Sequence, residues 1–410
     1  MHRTTPLKDS FLPVGFPHSV SADYLAYQAY DSLQAFFSTI VSLLANRALL
    51  EGLGVGDANT TATFALLLTI VKDGISRLAT IAFAHRLGLA IEPECKYYRF
   101  LADLLNDSAF FLDLVSPRLA NGMPKVACLA AAEAMRAMCG VAAGASKAAL
   151  SSHFALQDNL AELNAKEASQ ETAVGLFGLL VGTVVVRFVE DPRTVFWLMV
   201  WLVLGHLLMN YLGVRCVTLR TLNRQRASIV VEEWRRTRRC ASPEEVAKKE
   251  AVVWWRPVFG EGKVKVSFAR DYRDAMFGGV AVEMEIVELP NASLHVRRRR
   301  HGSLEDRRKN GILSEVKVLV GEGAVPSDMV RAWFYAVLLA LGEPEEQDGR
   351  PEADMHGDSS HVGSGLSPKY QLDVMQQLVD AGWDLSSSSL ETGAPVRLRV
   401  LNHDAEKKDK

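Results

Sequence analysis

The sequence is short of cysteine, of aromatics and of net charge. Its five cysteines, Cys95, Cys128, Cys139, Cys216 and Cys240, form no Cys-x-x-Cys pair and have no histidine at ligand spacing. Neither a disulfide framework nor a zinc site is supported. Lys and Arg number 46 against 48 Asp and Glu, a net charge of -2, which removes the electrostatic case for gripping nucleic acid. No apolar run opens the chain. Residues 1–20 mix prolines with charged side chains and lack the pattern of a secretory signal or of an Arg- and Ser-rich, acid-poor transit peptide. Any membrane insertion is therefore expected from internal segments.

Charge is scarce in one half only. Residues 1–227 carry 37 formal charges and residues 228–410 carry 57, which implies two solvents or two kinds of packing. In the first half, Leu33, Phe36, Phe37, Ile40, Leu43 and Leu44 recur at helical spacing within 24–50, behind the capping residues Ser21 and Asp23. Alternate glycines at 52, 54 and 56 end that helix. They follow a helix and lead to Asp57, so a helix-breaking turn accounts for them better than a phosphate loop does. Further helices are expected at 60–87, at 97–115 with Asp103, Asn106 and Asp107 on one side, and at 126–152, which is rich in alanine. Gly140-x-x-x-Gly144, and later Gly178-x-x-x-Gly182, are small-residue pairs that let helices approach closely.

Residues 195–214 hold no formal charge. Twenty residues at about 1.5 Å each span about 30 Å, the hydrocarbon thickness of a bilayer. Trp197 and Trp201 lie near one end and Tyr211 near the other, as amphipathic rings do at membrane interfaces. His206 and Asn210, four apart, share a face expected to look at protein. Residues 172–189 carry Arg187 alone, and a turn at 190–193 completes a candidate membrane hairpin, 172–214. Arg215, Arg220, Arg224 and Arg226 follow it as a basic cluster suited to anionic lipid headgroups. A buried hairpin in a large soluble helical domain is the competing reading.

Beyond this helical domain, 10–230, a charged helical connector is expected at 231–254 and an α+β domain at 255–403. Segments 262–269, 280–289, 312–320 and 396–401 read as strands, with Val282, Met284 and Ile286 alternating against Glu283 and Glu285. Segments 327–341 and 367–382 read as helices. The arginine-rich stretch 295–310 and the acidic, Gly- and Ser-containing stretch 342–366 have too little apolar content to fold alone. The fold class is thus a mainly α N-terminal helical bundle, expected to be membrane-embedded, followed by a small α+β C-terminal domain.

Several ordered runs carry a family resemblance. They are Leu12-Pro13-Val14-Gly15-Phe16-Pro17-His18, Asp31-Ser32-Leu33-Gln34, Arg99-Phe100-Leu101-Ala102-Asp103 with Asn106-Asp107, Gly144-Ala145-Ser146-Lys147, Asn164-Ala165-Lys166-Glu167-Ala168-Ser169-Gln170-Glu171-Thr172, Asn210-Tyr211 and Leu219-Arg220-Thr221-Leu222-Asn223-Arg224-Gln225-Arg226. Over its first 230 residues the chain resembles the root UVB sensitive family, also called the vitamin B6 photoprotection and homeostasis family. The tail matches more loosely, through Asp328-Met329, Ala381-Gly382-Trp383-Asp384-Leu385 and Leu390-Glu391-Thr392. The resemblance implies membrane association, a link to vitamin B6 homeostasis, UV-B responses and auxin transport, and action with family paralogues as homo- or hetero-oligomeric partners. It brings no established catalytic mechanism, and the plastid address of some plant members is not expected to carry over.

Candidate polar-cavity or ligand-binding residues are Asp103, Asn106, Asp107, Lys147, His153, Lys166, Glu167, Gln170 and Glu171. In a membrane-embedded bundle, such ionisable side chains line a ligand or ion path; in a soluble bundle they are a solvated face. No cofactor is expected. A pyridoxal phosphate enzyme with Lys147 as Schiff-base amine needs a large α/β domain, which the helical half does not supply. The expected protein is a non-enzymatic, intracellular membrane protein, a scaffold or interaction protein; a transporter-like carrier is the alternative.

Overall fold

The computed structural model describes residues 10–52, 62–120, 122–260, 262–279, 284–299, 312–342 and 368–399. Through residue 218 the described chain is helical almost throughout: α1 (Tyr24–Gly52), α2 (Ala62–Ile91), α3 (Cys95–Val115), α4 (Met123–Phe154), α5 (Leu160–Phe188) and α6 (Pro192–Cys216). Local chemistry sets the ends. Pro124 opens α4, and Asp191 caps α6 by accepting the Thr194 N–H at 2.9 Å, with Pro192 first in the helix. The candidate hairpin begins earlier than 172, because the polar residues 160–171 form the first part of the same helix, α5. The glycine turn expected at 52–56 lies, beyond Gly52, outside the described residues.

Two compact units result, Met1–Thr218 and Leu219–Lys410. In the first, α1 packs against α3, α5 and α6, while α4 packs against α2 and α3. One apolar cluster joins Val41, Leu44, Phe110, Leu114, Met199 and Val203; another joins Phe83, Ile91, Tyr98, Ala102 and Ala142. Among the described residues four helices, α1, α4, α5 and α6, are long and apolar enough to cross a membrane, two more than the expected hairpin.

The glycine pairs behave differently. A Cβ on Gly178 would lie 2.9 Å from the Thr39 Cβ, and one on Gly182 would lie 2.5 Å from the Leu43 Cδ1, so α5 meets α1 at backbone distance there. At Gly140 and Gly144 a Cβ would meet nothing within 4 Å. The close helix approach expected at that second pair is absent, because this face of α4 borders open space.

The second unit is built on a sheet of order β2-β3-β6-β5-β4, from β2 (Val258–Phe259), β3 (Val264–Phe268), β4 (Met284–Leu289), β5 (Ala292–Arg299) and β6 (Ile312–Gly321). β3 and β6 are parallel, the other neighbours antiparallel, and β8 (Arg397–Leu398) extends beside the end of β6. A short parallel pair joins β1 (Thr221–Asn223) to β7 (Asp384–Ser389). The remaining described helices are α7 (Arg224–Thr237), α8 (Pro243–Lys249), α9 (Tyr272–Ala275), α10 (Pro326–Leu341) and α11 (Pro368–Asp380). α10 is buried along most of its length around Trp333, whose Nε1 donates to Ser228 Oγ at 3.1 Å.

Three expectations change here. The stretch 231–254 is no solvent-exposed connector, since Val231, Trp234, Cys240, Ala241 and Val246 belong to the apolar core shared with α10. Its charges cover one face of an amphipathic α7 while the other face is interior. The arginines at 297–299 sit on a strand, not in a loop: Arg297 pairs with Glu315 at 3.4 Å and Arg298 with Glu285 at 3.1 Å. Residues 300–310 and 343–366 lie outside the described residues. On β4, Val287 is buried and Ile286 exposed, so the inward face is the odd-numbered one; a one-residue shift in register exchanges the faces of a strand.

Candidate functional site

The polar residues of the first unit fall in stripes. Asp31, Gln34, Ala35 and Ser38 share one face of α1; Arg99 and Asp103 are one turn apart on α3; Gly144 and Lys147 neighbour each other on α4; Glu167 and Glu171 are one turn apart on α5; His206 and Asn210 are one turn apart on α6. Packing turns these stripes toward a cavity of about 260 Å³ lined by Asp31, Gln34, Ser38, Arg99, Asp103, Lys147, Glu171 and His206, with Ala35, Ala143 and Gly144 as its apolar wall. The side chain that Gly144 lacks is part of that space.

The floor is a buried ionic network. Arg99 donates to Asp31 at 2.9 Å, to Asp103 at 3.1 Å and to Gln34 at 3.3 Å. Asp103 also accepts from Gln34 and Asn210, and the His206 Nε2 lies 3.7 Å from it. The other nitrogen of His206 bonds Asp107 at 2.8 Å. Buried charge of this kind is stable only when paired. At the more exposed rim, Lys147 donates to Glu171 at 2.9 Å. An amine held in that ion pair is poorly placed for Schiff-base chemistry. Glu167, one turn below Glu171, accepts from Ser151 at 3.2 Å.

Of the nine residues expected from sequence, the fold thus brings Asp103, Lys147 and Glu171 into the cavity wall and places Asp107 and Glu167 directly behind it. Four are elsewhere. Asn106 and Lys166 are half-buried and do not line the space. Gln170 donates to the Phe11 carbonyl. His153 bonds Asp23 at 3.0 Å, where Asp23 also accepts the Thr218 N–H at 2.6 Å and tethers the end of the unit. Burial opposes the Asp23 charge, but the bonds from His153, Ser21 and Thr218 outweigh it and hold the carboxyl below its ordinary range. Asp31, Gln34, Ser38, Arg99 and His206 are wall residues absent from the expected set. Asp31, Gln34 and Arg99 do occur in the runs that carry the family resemblance.

The four arginines expected to meet lipid do not form one group. Arg215 is exposed and stacks over the Tyr211 ring at 5.8 Å; Arg220 is exposed and Arg224 half-buried. Arg226 is interior, paired with Glu250 at 2.8 Å and bonded to the Thr221 carbonyl at 2.6 Å. It is thus a core residue in the first turn of α7.

A family model described as the vitamin B6 photo-protection and homoeostasis domain matches residues 2–238, which include every cavity residue. Protein root UVB sensitive 3 of Arabidopsis thaliana is 31% identical over 336 residues, 81% of this chain and 74% of that protein. RUS family member 1 of Dictyostelium discoideum is 37% identical over 255 residues, 60% of this chain and 48% of that protein. Protein root UVB sensitive 2, chloroplastic, of Arabidopsis thaliana is 30% identical over 266 residues, 64% and 60% of the two chains. No solved structure matches.

Proposed function

The chain belongs to the root UVB sensitive family, defined by a vitamin B6 photo-protection and homoeostasis domain, and from that premise we propose that it is an integral membrane protein whose first unit carries a small polar molecule. One observation supports this above the others: the unit is inverted. Leu176, Phe177, Leu180, Trp197, Trp201 and Leu204 face outward, whereas Asp103, Asp107, Glu167, His206 and Asn210 are buried. In water each outward side chain would forgo roughly 1.5–3 kcal/mol of burial; in hydrocarbon there is no such loss, and ionisable groups belong where they line a protein interior.

The cavity is the reason to favour a carrier over a scaffold, because a scaffold has no use for a charged interior space. Its volume lies just below the roughly 300–1,000 Å³ of drug-sized sites, in keeping with a vitamin-sized ligand. The membrane and the cavity are tested separately. Alkaline carbonate should leave the full-length chain in the membrane pellet, and its release would refute integral insertion. Gly144→Leu, whose Cβ would meet nothing within 4 Å, should occupy the cavity and abolish complementation of a strain lacking the protein, at unchanged abundance. Full complementation by that variant would hand the role to the scaffold reading.

A further inference from the structure

His206 lines the cavity, is 1% exposed, and has a carboxylate opposite each ring nitrogen. Its Nδ1 bonds Asp107 Oδ2 at 2.8 Å, and its Nε2 lies 3.7 Å from Asp103 Oδ2. A carboxylate only accepts hydrogen bonds, so a neutral imidazole spends its single N–H on Asp107 and turns a bare lone pair toward Asp103. That arrangement is one proton short.

A separate observation comes from behind the wall. Asp107 is 2% exposed, bonds no lysine or arginine among the described residues, and has an Oδ1 without a hydrogen-bond partner. A buried carboxylate with no cation beside it is strongly disfavoured, and here the imidazole is the group that can relieve it. With one proton between them the pair carries a negative charge; with two it is neutral, either as imidazolium beside carboxylate or as imidazole beside carboxylic acid. In both forms the added proton, taken from solvent, makes one new N–H bond at Nε2, and no other group gains or loses charge. The remaining charged side chains of the cavity are engaged with one another, Arg99 with Asp31 and Asp103, and Lys147 with Glu171. Asp103 favours an imidazolium and Arg99 opposes it, while Cys139 on α4 is within electrostatic reach of Asp103 and Asp107. Opposed neighbours of this kind let a histidine both take and release its proton near neutral pH, and Asp/His chains inside membrane bundles serve that purpose.

We propose that His206 and Asp107 form a proton-binding site that loads from the cavity, an inference that rests on the ligand-carrying reading of the same space and makes the proton one of its ligands. The test is nitrogen-15 NMR of the full-length chain, labelled at histidine, in lipid nanodiscs, with the proton itself as the probe. The signals of His206 are assigned by their loss in His206→Gln; should that variant fail to fold, those that change in Asp107→Asn identify the residue. As the pH is lowered from about 8 to about 5, the range in which histidines change charge, Nε2 of His206 should pass from bare to protonated. In Asp107→Asn, where no buried charge calls for the second proton, Nε2 should no longer change over that range. Gly144→Leu, which occupies the cavity, should slow exchange of the Nε2 proton with water by about tenfold or more. An Nε2 that keeps one state throughout in the wild-type chain would overturn the inference and leave the carrier reading, which complementation by Gly144→Leu decides, untouched. Exchange that Gly144→Leu does not slow would overturn the loading from the cavity.

Discussion

The two units solve the burial of apolar surface in opposite ways. In the second, Trp333, Leu294, Val316 and Leu378 are interior, and among its described arginines and glutamates Arg226 and Glu250 are the ones buried, as an ion pair. In the first, long apolar side chains cover the outside of α2, α5 and α6, and an ionic network fills the middle. One chain carries both patterns, and the same kind of substitution should have opposite consequences in each half. The comparison teaches that exposure has no fixed meaning: on the proposed reading it marks a water-facing surface in one unit and a lipid-facing surface in the other.

The largest effect is expected inside the second unit. Arg226→Met leaves Glu250 buried with its main charge partner gone and should cost about 3–5 kcal/mol in urea denaturation of the full-length chain; a loss below about 0.5 kcal/mol would show that the pair is solvated. The next contrast sets one unit against the other. Leu180, 63% exposed on α5, and Val379, 51% exposed on α11, look alike by accessibility. Leu180→Lys should reduce membrane insertion by about 3 kcal/mol in a glycosylation-mapping assay, whereas Val379→Lys should change stability by less than about 0.5 kcal/mol. Equal, small effects would erase the distinction.

A smaller effect separates the two glycine pairs. Gly178→Ala drives a methyl against the stiff Thr39 side chain and should cost about 1–3 kcal/mol in thermal unfolding in detergent. Gly140→Ala meets open space and should stabilise α4 by up to about 1 kcal/mol. The smallest effect is acid sensitivity of the second unit. Burial works against the Asp274 charge, but bonds from Lys317, at 2.7 Å, and from Arg270 outweigh it and hold the carboxyl at about 2. That is below the ordinary value of about 4, so its contribution is complete above pH ~4 and disappears as pH falls through about 2. Asp274→Asn should flatten that part of the stability curve, measured by circular dichroism.

The helices were legible because their signals are local. Period-3.6 apolar residues and the turn at 190–193 sit within a few residues of what they determine. The cavity was legible only by fragments. Asp103, Lys147 and Glu171 stood out as charges on apolar helices, but the ion pair of Asp31 and Arg99 joins positions 68 residues apart, and no spacing rule reaches that far. The glycines of α4 were misjudged for a related reason: a small-residue face can admit a neighbouring helix or leave a space, and the sequence of α4 is the same in both cases. Charge runs misled in the second unit, where the arginines of α7 conceal the buried face of Val231 and Trp234, and those of β5 find glutamates on neighbouring strands.

The inversion of the first unit is tested most directly by a nitroxide at Leu180→Cys, in the full-length chain with its five native cysteines replaced by alanine, reconstituted in nanodiscs. Relaxation of the label by oxygen, which partitions into hydrocarbon, should far exceed relaxation by a water-soluble nickel chelate. The reverse ratio would place this face in water and contradict the account.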